Sequence, residues 1–137
     1  MTQTAKRQII VPAAFQAMYD NYRFAPATRV GDTIWLSGQV GIDAQMQPAD
    51  GMPAQARLAF EYVKLILAEA GATLADVVEL TTFHTTYHRD LEAFMAVKNE
   101  FFPDQYPSWT AVAVTDLAIP GLLVEIRVVA VAGSGQA

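Results

Sequence analysis

The chain has 137 residues, 53% of them hydrophobic and 17% charged, which predicts one soluble domain with material for a core and excludes a disordered chain. Its net charge of −5 and nine basic residues, scattered without a run, argue against nucleic acid, whose binding rests on clustered Lys and Arg. The absence of cysteine removes disulfides, thiolate nucleophiles and Cys-based metal sites, and the lack of a long apolar run or signal-peptide pattern makes a cytoplasmic protein without membrane contact the expectation.

Met1–Lys6 is expected to be a loose start and Arg7–Val11 a short strand. In Pro12–Tyr22, Phe15, Met18, Tyr19 and Tyr22 follow helical spacing, so the segment reads as a short helix or an extended, aromatic-rich loop. Phe24–Val30 and Thr33–Ser37 flank Gly31-Asp32, a two-residue turn signal, and predict a hairpin. Gly38 and Gly41 follow, which fits either a strand exit or the close approach of another group. Asp43–Gly51 reads as loop.

Pro53–Ala70 is the clearest helix. Ala56, Ala59, Phe60, Val63, Ile66, Leu67 and Ala70 form one apolar stripe, and Gly71 stands where a C-terminal cap belongs. Arg57 and Glu61 have the spacing of a solvated ion pair worth about 0.3 kcal/mol. Val77–Tyr87 reads as a strand. Asp90 is expected to cap a second helix running to about Phe102, with Leu91, Phe94, Val97 and Phe101 inward and Pro103 ending it. Trp109–Thr115 and Leu122–Ala132 read as strands, and Gly133–Ala137 as a tail without structure.

Two helices among about five strands predict an α+β domain with both helices on one face of a mixed sheet. The apolar share is high for so small a domain. A homo-oligomer that packs the other sheet faces together would use the surplus.

The chemistry centres on the last strand. Side chains alternate along a strand, so Val124, Ile126, Val128 and Ala130 face one way and Glu125, Arg127, Val129 and Val131 the other. Burying an unpaired carboxylate is costly, so Glu125 needs a partner, a pocket holding water or a neighbouring chain. Screened from bulk water its pKa would rise, which suits proton transfer; a charge pair with Arg127 is the structural alternative. His84 and His88 lack a carboxylate to complete a ligand set, so no metal site is expected. Ser37 lies in no nucleophile-elbow pattern and reads as a hydroxyl that bonds a ligand or the backbone. There is no phosphate-binding or dinucleotide motif.

An ordered set of short motifs carries a family resemblance. Asp32-Thr33-Ile34-Trp35-Leu36-Ser37-Gly38-Gln39, Pro48-Ala49-Asp50, Ala54-Gln55-Ala56-Arg57, Ala68-Glu69-Ala70-Gly71, Asp76-Val77-Val78, Asp90-Leu91 with Phe94, Tyr106-Pro107 and Val124-Glu125-Ile126 resemble the Rid (YjgF/YER057c/UK114) family. The match runs from about residue 22 to 132. The resemblance implies a chorismate-mutase-like α+β fold and a homotrimeric barrel with small-molecule pockets between subunits. It further implies hydrolysis of reactive imines or enamines to a carbonyl compound and ammonia, with no cofactor.

Carried over residue by residue, Glu125 matches the glutamate that positions or activates water, and Ser37 and Gly38 match the pocket serine and glycine. Ala111 falls where a backbone group helps hold the water, and Phe24 where deaminases usually have tyrosine. Trp109 stands where the deaminases have an arginine that clamps the substrate carboxylate. An indole has one N–H donor and cannot make that bidentate contact. Two readings of Trp109 follow: it stacks on a flatter, less charged ligand, or it plugs the pocket and leaves a non-catalytic binding or interaction trimer. Arg127 is the candidate to supply the missing positive charge.

Overall fold

The computed structural model describes residues 5–135. The strands are β1 (Gln8–Ile10), β2 (Ala27–Val30), β3 (Thr33–Leu36), β4 (Gln39–Val40), β5 (Val77–His84), β6 (Ser108–Ala113) and β7 (Val124–Val131). The helices are α1 (Gln16–Tyr22), α2 (Met52–Glu69) and α3 (Tyr87–Phe101). They build the expected α+β architecture, a mixed sheet in the order β1-β2-β3-β7-β5-β6, with β4 also paired to β7. The β5–β6 pair is parallel, joined through α3; the other pairs are antiparallel.

The hairpin forms as its turn signal requires. Val30 pairs with Thr33, leaving Gly31-Asp32 as the two-residue connection, and Gly31 takes the left-handed φ of +59° that such a turn needs. The Pro12–Tyr22 alternatives resolve to helix, a 3₁₀ turn at Ala13–Phe15 running into α1. Helix α2 ends in a Schellman motif: Gly71, at φ +87°, donates to the Ala68 carbonyl at 3.1 Å and Ala72 donates to Leu67 at 2.8 Å.

The core lies between this sheet and the stripes of α2 and α3. Phe60, Val63, Ile66 and Leu67 of α2 meet Phe94 and Val97 of α3 and the alternating Val124, Ile126, Val128 and Ala130 of β7. The opposite sheet face is turned away from the stripes of α2 and α3. Ile9, Trp35 and Val129 share one cross-strand row on it, and Val112, Phe83 and Glu125 share another. Of these, Ile9, Trp35 and Val112 are exposed. No helix among the described residues is long and apolar enough to cross a membrane.

Several local expectations are corrected. The strand predicted over Val77–Tyr87 stops at His84, because α3 begins at Tyr87 with Thr86 as its N-cap. Asp90 is therefore inside the first turns, where its carboxylate accepts from Thr86 Oγ1 at 2.5 Å and pairs with Arg89 at 2.7 Å. Arg57 passes over Glu61 and reaches Glu100 of α3 at 2.7 Å, because the two helices lie side by side. Gly133–Gly135 is anchored: Gly135 N–H donates to the buried Asp76 carboxylate at 2.9 Å and Ser134 Oγ to the Val131 carbonyl at 2.6 Å. Residues 1–4 and 136–137 of the predicted loose ends lie outside the described residues.

Candidate functional site

Glu125 is held on both sides by pairing: Val40 of β4 lies opposite it on one flank and Phe83 of β5 on the other. Alternation turns its side chain off the core face while Val124 and Ile126 are fully buried. The carboxylate is half-buried, and burial pushes its pKa above the ordinary carboxylate value. Among the described residues it has no ion-pair partner; Arg127, two positions on, is exposed and pairs with nothing.

Gly38 sits against this carboxylate. A Cβ built on it would overlap Glu125 Oε2 and lie 2.7 Å from Cδ, so no larger residue fits without displacing the acid. Gly41 is constrained differently, by the backbone of Gln55 on α2. Both glycines thus serve close approach, and only Gly38 serves the candidate site.

Glu125 and Gly38 line a cleft of about 400 Å³ whose other walls include Tyr22, Phe24, Met46 and Leu122. A second lobe of about 260 Å³ shares Met18, Phe24, Gly38, Val40, Ile42 and Met46 with it and runs to Phe15 and Tyr62. Tyr22 Oη bonds Met46 Sδ at 3.6 Å, joining α1 to the loop after β4. Tyr62 donates to the Ile42 carbonyl at 2.5 Å and meets Phe15 edge-on at 5.7 Å. Burial, and then the charge of Asp43, raise the Tyr62 pKa, so the phenol stays a neutral donor.

The far walls are positioned by Gln55, a buried side chain whose role the sequence motif did not disclose. Its Nε2 donates to the carbonyls of Ala49 and Gly121, each at 3.0 Å, and its Oε1 accepts from Leu123 N–H at 2.7 Å. One amide side chain therefore ties α2 to the segments on both sides of the cleft. Buried amides are placed this way because each unpaired donor or acceptor would carry a desolvation cost.

The structure brings together Glu125, Gly38 and Phe24 of the predicted residues. Ser37 is adjacent, but its hydroxyl donates to the Ala25 carbonyl at 2.6 Å. Trp109 and Ala111 are not brought there. They pair with Leu80 and Thr82, which are fully buried core residues, so both point to the helix side of the sheet. The Trp109 indole donates to Thr82 Oγ1 at 2.9 Å, lies 6.0 Å from the Phe94 ring and carries Lys98 Nζ 4.6 Å above it. Within one chain it neither lines nor plugs the Glu125 cleft. Thr82 Oγ1 also lies 2.7 Å from His84 Nε2. His84 is buried, held neutral by desolvation, and belongs to the packing of α3. Among the described residues no cluster of metal-ligating side chains forms. Met18, Tyr22, Met46 and Tyr62 are cleft residues absent from the candidates that the sequence offers; the helical spacing of Met18 and Tyr22 is the signal that the sequence holds for two of them.

Comparison with known proteins converges on one family. The endoribonuclease L-PSP family pattern matches residues 15–132. The RutC family protein YjgH of Escherichia coli is 41% identical over 126 residues, covering 91% of this chain and 95% of its own length. The 2-iminobutanoate/2-iminopropanoate deaminase of Dermatophagoides farinae is 32% identical over 114 residues, covering 82% and 86%. A Mycobacterium tuberculosis crystal structure from the YjgF/YER057c/UK114 family superposes with a TM-score of 0.80 at 30% identity, covering 92% of this chain and 99% of that one.

Proposed function

The chain belongs to the endoribonuclease L-PSP family, the YjgF/YER057c/UK114 or Rid proteins, and from that premise we propose that it hydrolyses a reactive imine or enamine to a carbonyl compound and ammonia. The observation that carries the reading is Glu125: a half-buried carboxylate without an ionic partner, at the wall of an apolar cleft, against a glycine that leaves it room. A carboxylate whose pKa burial raises suits a group that first takes a proton and then returns it.

The chemistry balances with water alone. Water adds to the imine carbon, the C=N pair moves to nitrogen, and Glu125 takes a proton from the attacking water. Glu125 then protonates the nitrogen of the tetrahedral adduct. The adduct hydroxyl then gives up its proton, which passes to the nitrogen through the same carboxylate; its oxygen becomes the carbonyl as the C–N bond breaks, and ammonia leaves. No cofactor enters the balance.

The substrate differs from those of arginine-bearing relatives, because position 109 holds an indole turned onto α3. The working form is proposed to be a homotrimer. Its support is the sheet face turned away from α2 and α3, with exposed Ile9, Trp35 and Val112, and the separation of Trp109 and Ala111 from Glu125 within one chain, which a neighbouring copy would remedy. Trp109 also favours a second reading, a trimer that binds a small ligand without turnover.

The test is ammonia release from freshly generated imines by wild type and Glu125→Ala. Release above background that the variant loses is the expected result. Equal release by both would overturn catalysis by Glu125, and sedimentation of a monomer would overturn the trimer.

A further inference from the structure

Charge inside the cleft points to a narrower class of substrate. Among the described residues lining the two lobes, the carboxylic acids are Glu125 and Asp43, and no Lys, Arg or His is present. Arg23 and Arg127, near in sequence to cleft residues, line neither lobe. A carboxylate entering this space would meet like charge and no compensating donor fork, which is costly in a partly desolvated site. A cation would meet the opposite arrangement. Glu125 stands at the outer lobe beside Tyr22 and Phe24, both exposed there, and aromatic faces attract cations. The body of the ligand has a place as well. Asp43 aside, the inner lobe of about 260 Å³ is walled mostly by apolar side chains, among them Phe15, Met18, Ile42 and Met46, and methionine side chains adapt to varied apolar shapes.

We propose that the cleft takes a carboxylate-free, amine-derived iminium ion. Its nitrogen lies against Glu125 and the rings of Tyr22 and Phe24, and its apolar or aromatic body fills the inner lobe. The proposal rests on the imine-hydrolysis reading and deepens it. An iminium ion plus water gives a carbonyl compound plus ammonium: the water oxygen bonds to carbon, the C–N bond breaks, and the departing ammonia carries away the second water proton. The positive charge on the substrate also explains the absence of a carboxylate clamp. The acid that activates water is itself the charge partner of the reacting nitrogen.

Two measurements on the full chain decide it. The first compares hydrolysis of two imines that share a side chain, one generated from an aromatic amine substrate by an amine oxidase and one from phenylalanine by an amino-acid oxidase, both with catalase present. Faster hydrolysis of the amine-derived imine, by tenfold or more, is expected. Faster hydrolysis of the 2-imino acid would overturn the charge assignment while leaving imine hydrolysis standing. The second measures binding of stable probes, benzylammonium against phenylacetate, by calorimetry. Benzylammonium is expected to bind, with affinity falling tenfold or more in Glu125→Gln, and Met46→Lys is expected to weaken it and admit phenylacetate. Tighter binding of phenylacetate by wild type, or benzylammonium affinity unchanged in Glu125→Gln, would overturn the proposal. If neither imine is hydrolysed, the hydrolase reading fails and the binding arm alone decides the charge of the ligand.

Discussion

Gly38 stands so close to Glu125 that any side chain at position 38 would occupy the space of the carboxylate. The glycine is on the strand exit after β3 and the acid on β7, and β4 brings them together through its pairing with β7. Gly38→Ala is therefore expected to displace Glu125 rather than unfold the chain, since the nearest atoms are the movable end of a side chain. Activity and benzylammonium affinity should fall at least tenfold while the thermal midpoint moves by a few degrees at most. Gly41→Ala is the contrast, because its added methyl meets Gln55 backbone. A loss of several kcal/mol in denaturant unfolding is expected there. Equal destabilisation of the two variants would contradict the assignment of Gly38 to the site.

Glu125→Gln separates stability from function by pH. Burial raises the folded-state pKa of Glu125 above its unfolded value, so the protonated form is favoured in the fold. That favourable contribution is complete below the unfolded pKa and is lost as pH rises through the folded-state value. The neutral amide escapes the loss. Glu125→Gln should thus unfold at a higher temperature than wild type at neutral pH, and the difference should shrink towards pH 4. Wild-type activity should show an acid limb above the range of an ordinary carboxylate, because the base must be ionised to take a proton from water. A stability difference independent of pH would show that the charge of Glu125 is not the cause.

Gln55 is expected to be worth more than its polar character suggests. Gln55→Ala strands the Leu123 N–H and frees the Ala49 and Gly121 carbonyls, all placed by that one amide. A loss of about 2–4 kcal/mol is expected from unpaired buried groups and the space left behind. Hydrogen exchange at Leu123 should quicken more than in β5. Unchanged protection at Leu123 would mean that the bond is not made in solution.

Trp109 is expected to act through packing and one hydrogen bond. Trp109→Phe keeps a ring against Phe94 but removes the donor to Thr82 Oγ1. About 1 kcal/mol should be lost, and about 2–3 kcal/mol in Trp109→Ala, where the half-buried ring disappears. Urea denaturation checks both. An increase in stability for either variant would argue that the indole is strained in this place.

Much of the architecture was legible because it is encoded between near neighbours. The stripe of α2, its Gly71 cap, the Gly31-Asp32 hairpin and the alternation that sets Glu125 apart from Val124 and Ile126 follow from periods of 3.6 and 2. Arg57 shows where that logic stops. Its local partner Glu61 has the right spacing, but the packing of α2 on α3 offers Glu100 instead.

The sequence by itself determined the α+β class and set one carboxylate on an apolar strand, and it left that carboxylate's pairing with Arg127 open and Trp109 with two readings inside a pocket. Only the tertiary structure decided that Trp109 faces α3, because the parallel register of β6 on β5 sets its side with Leu80. It also decided that the cleft is built from α1, the loop after β4 and the residues before β7, segments far apart in the chain. The physical reason is that backbone periodicity fixes which side chains share a face. Which faces meet depends on how sheet and helices bury their apolar surface together.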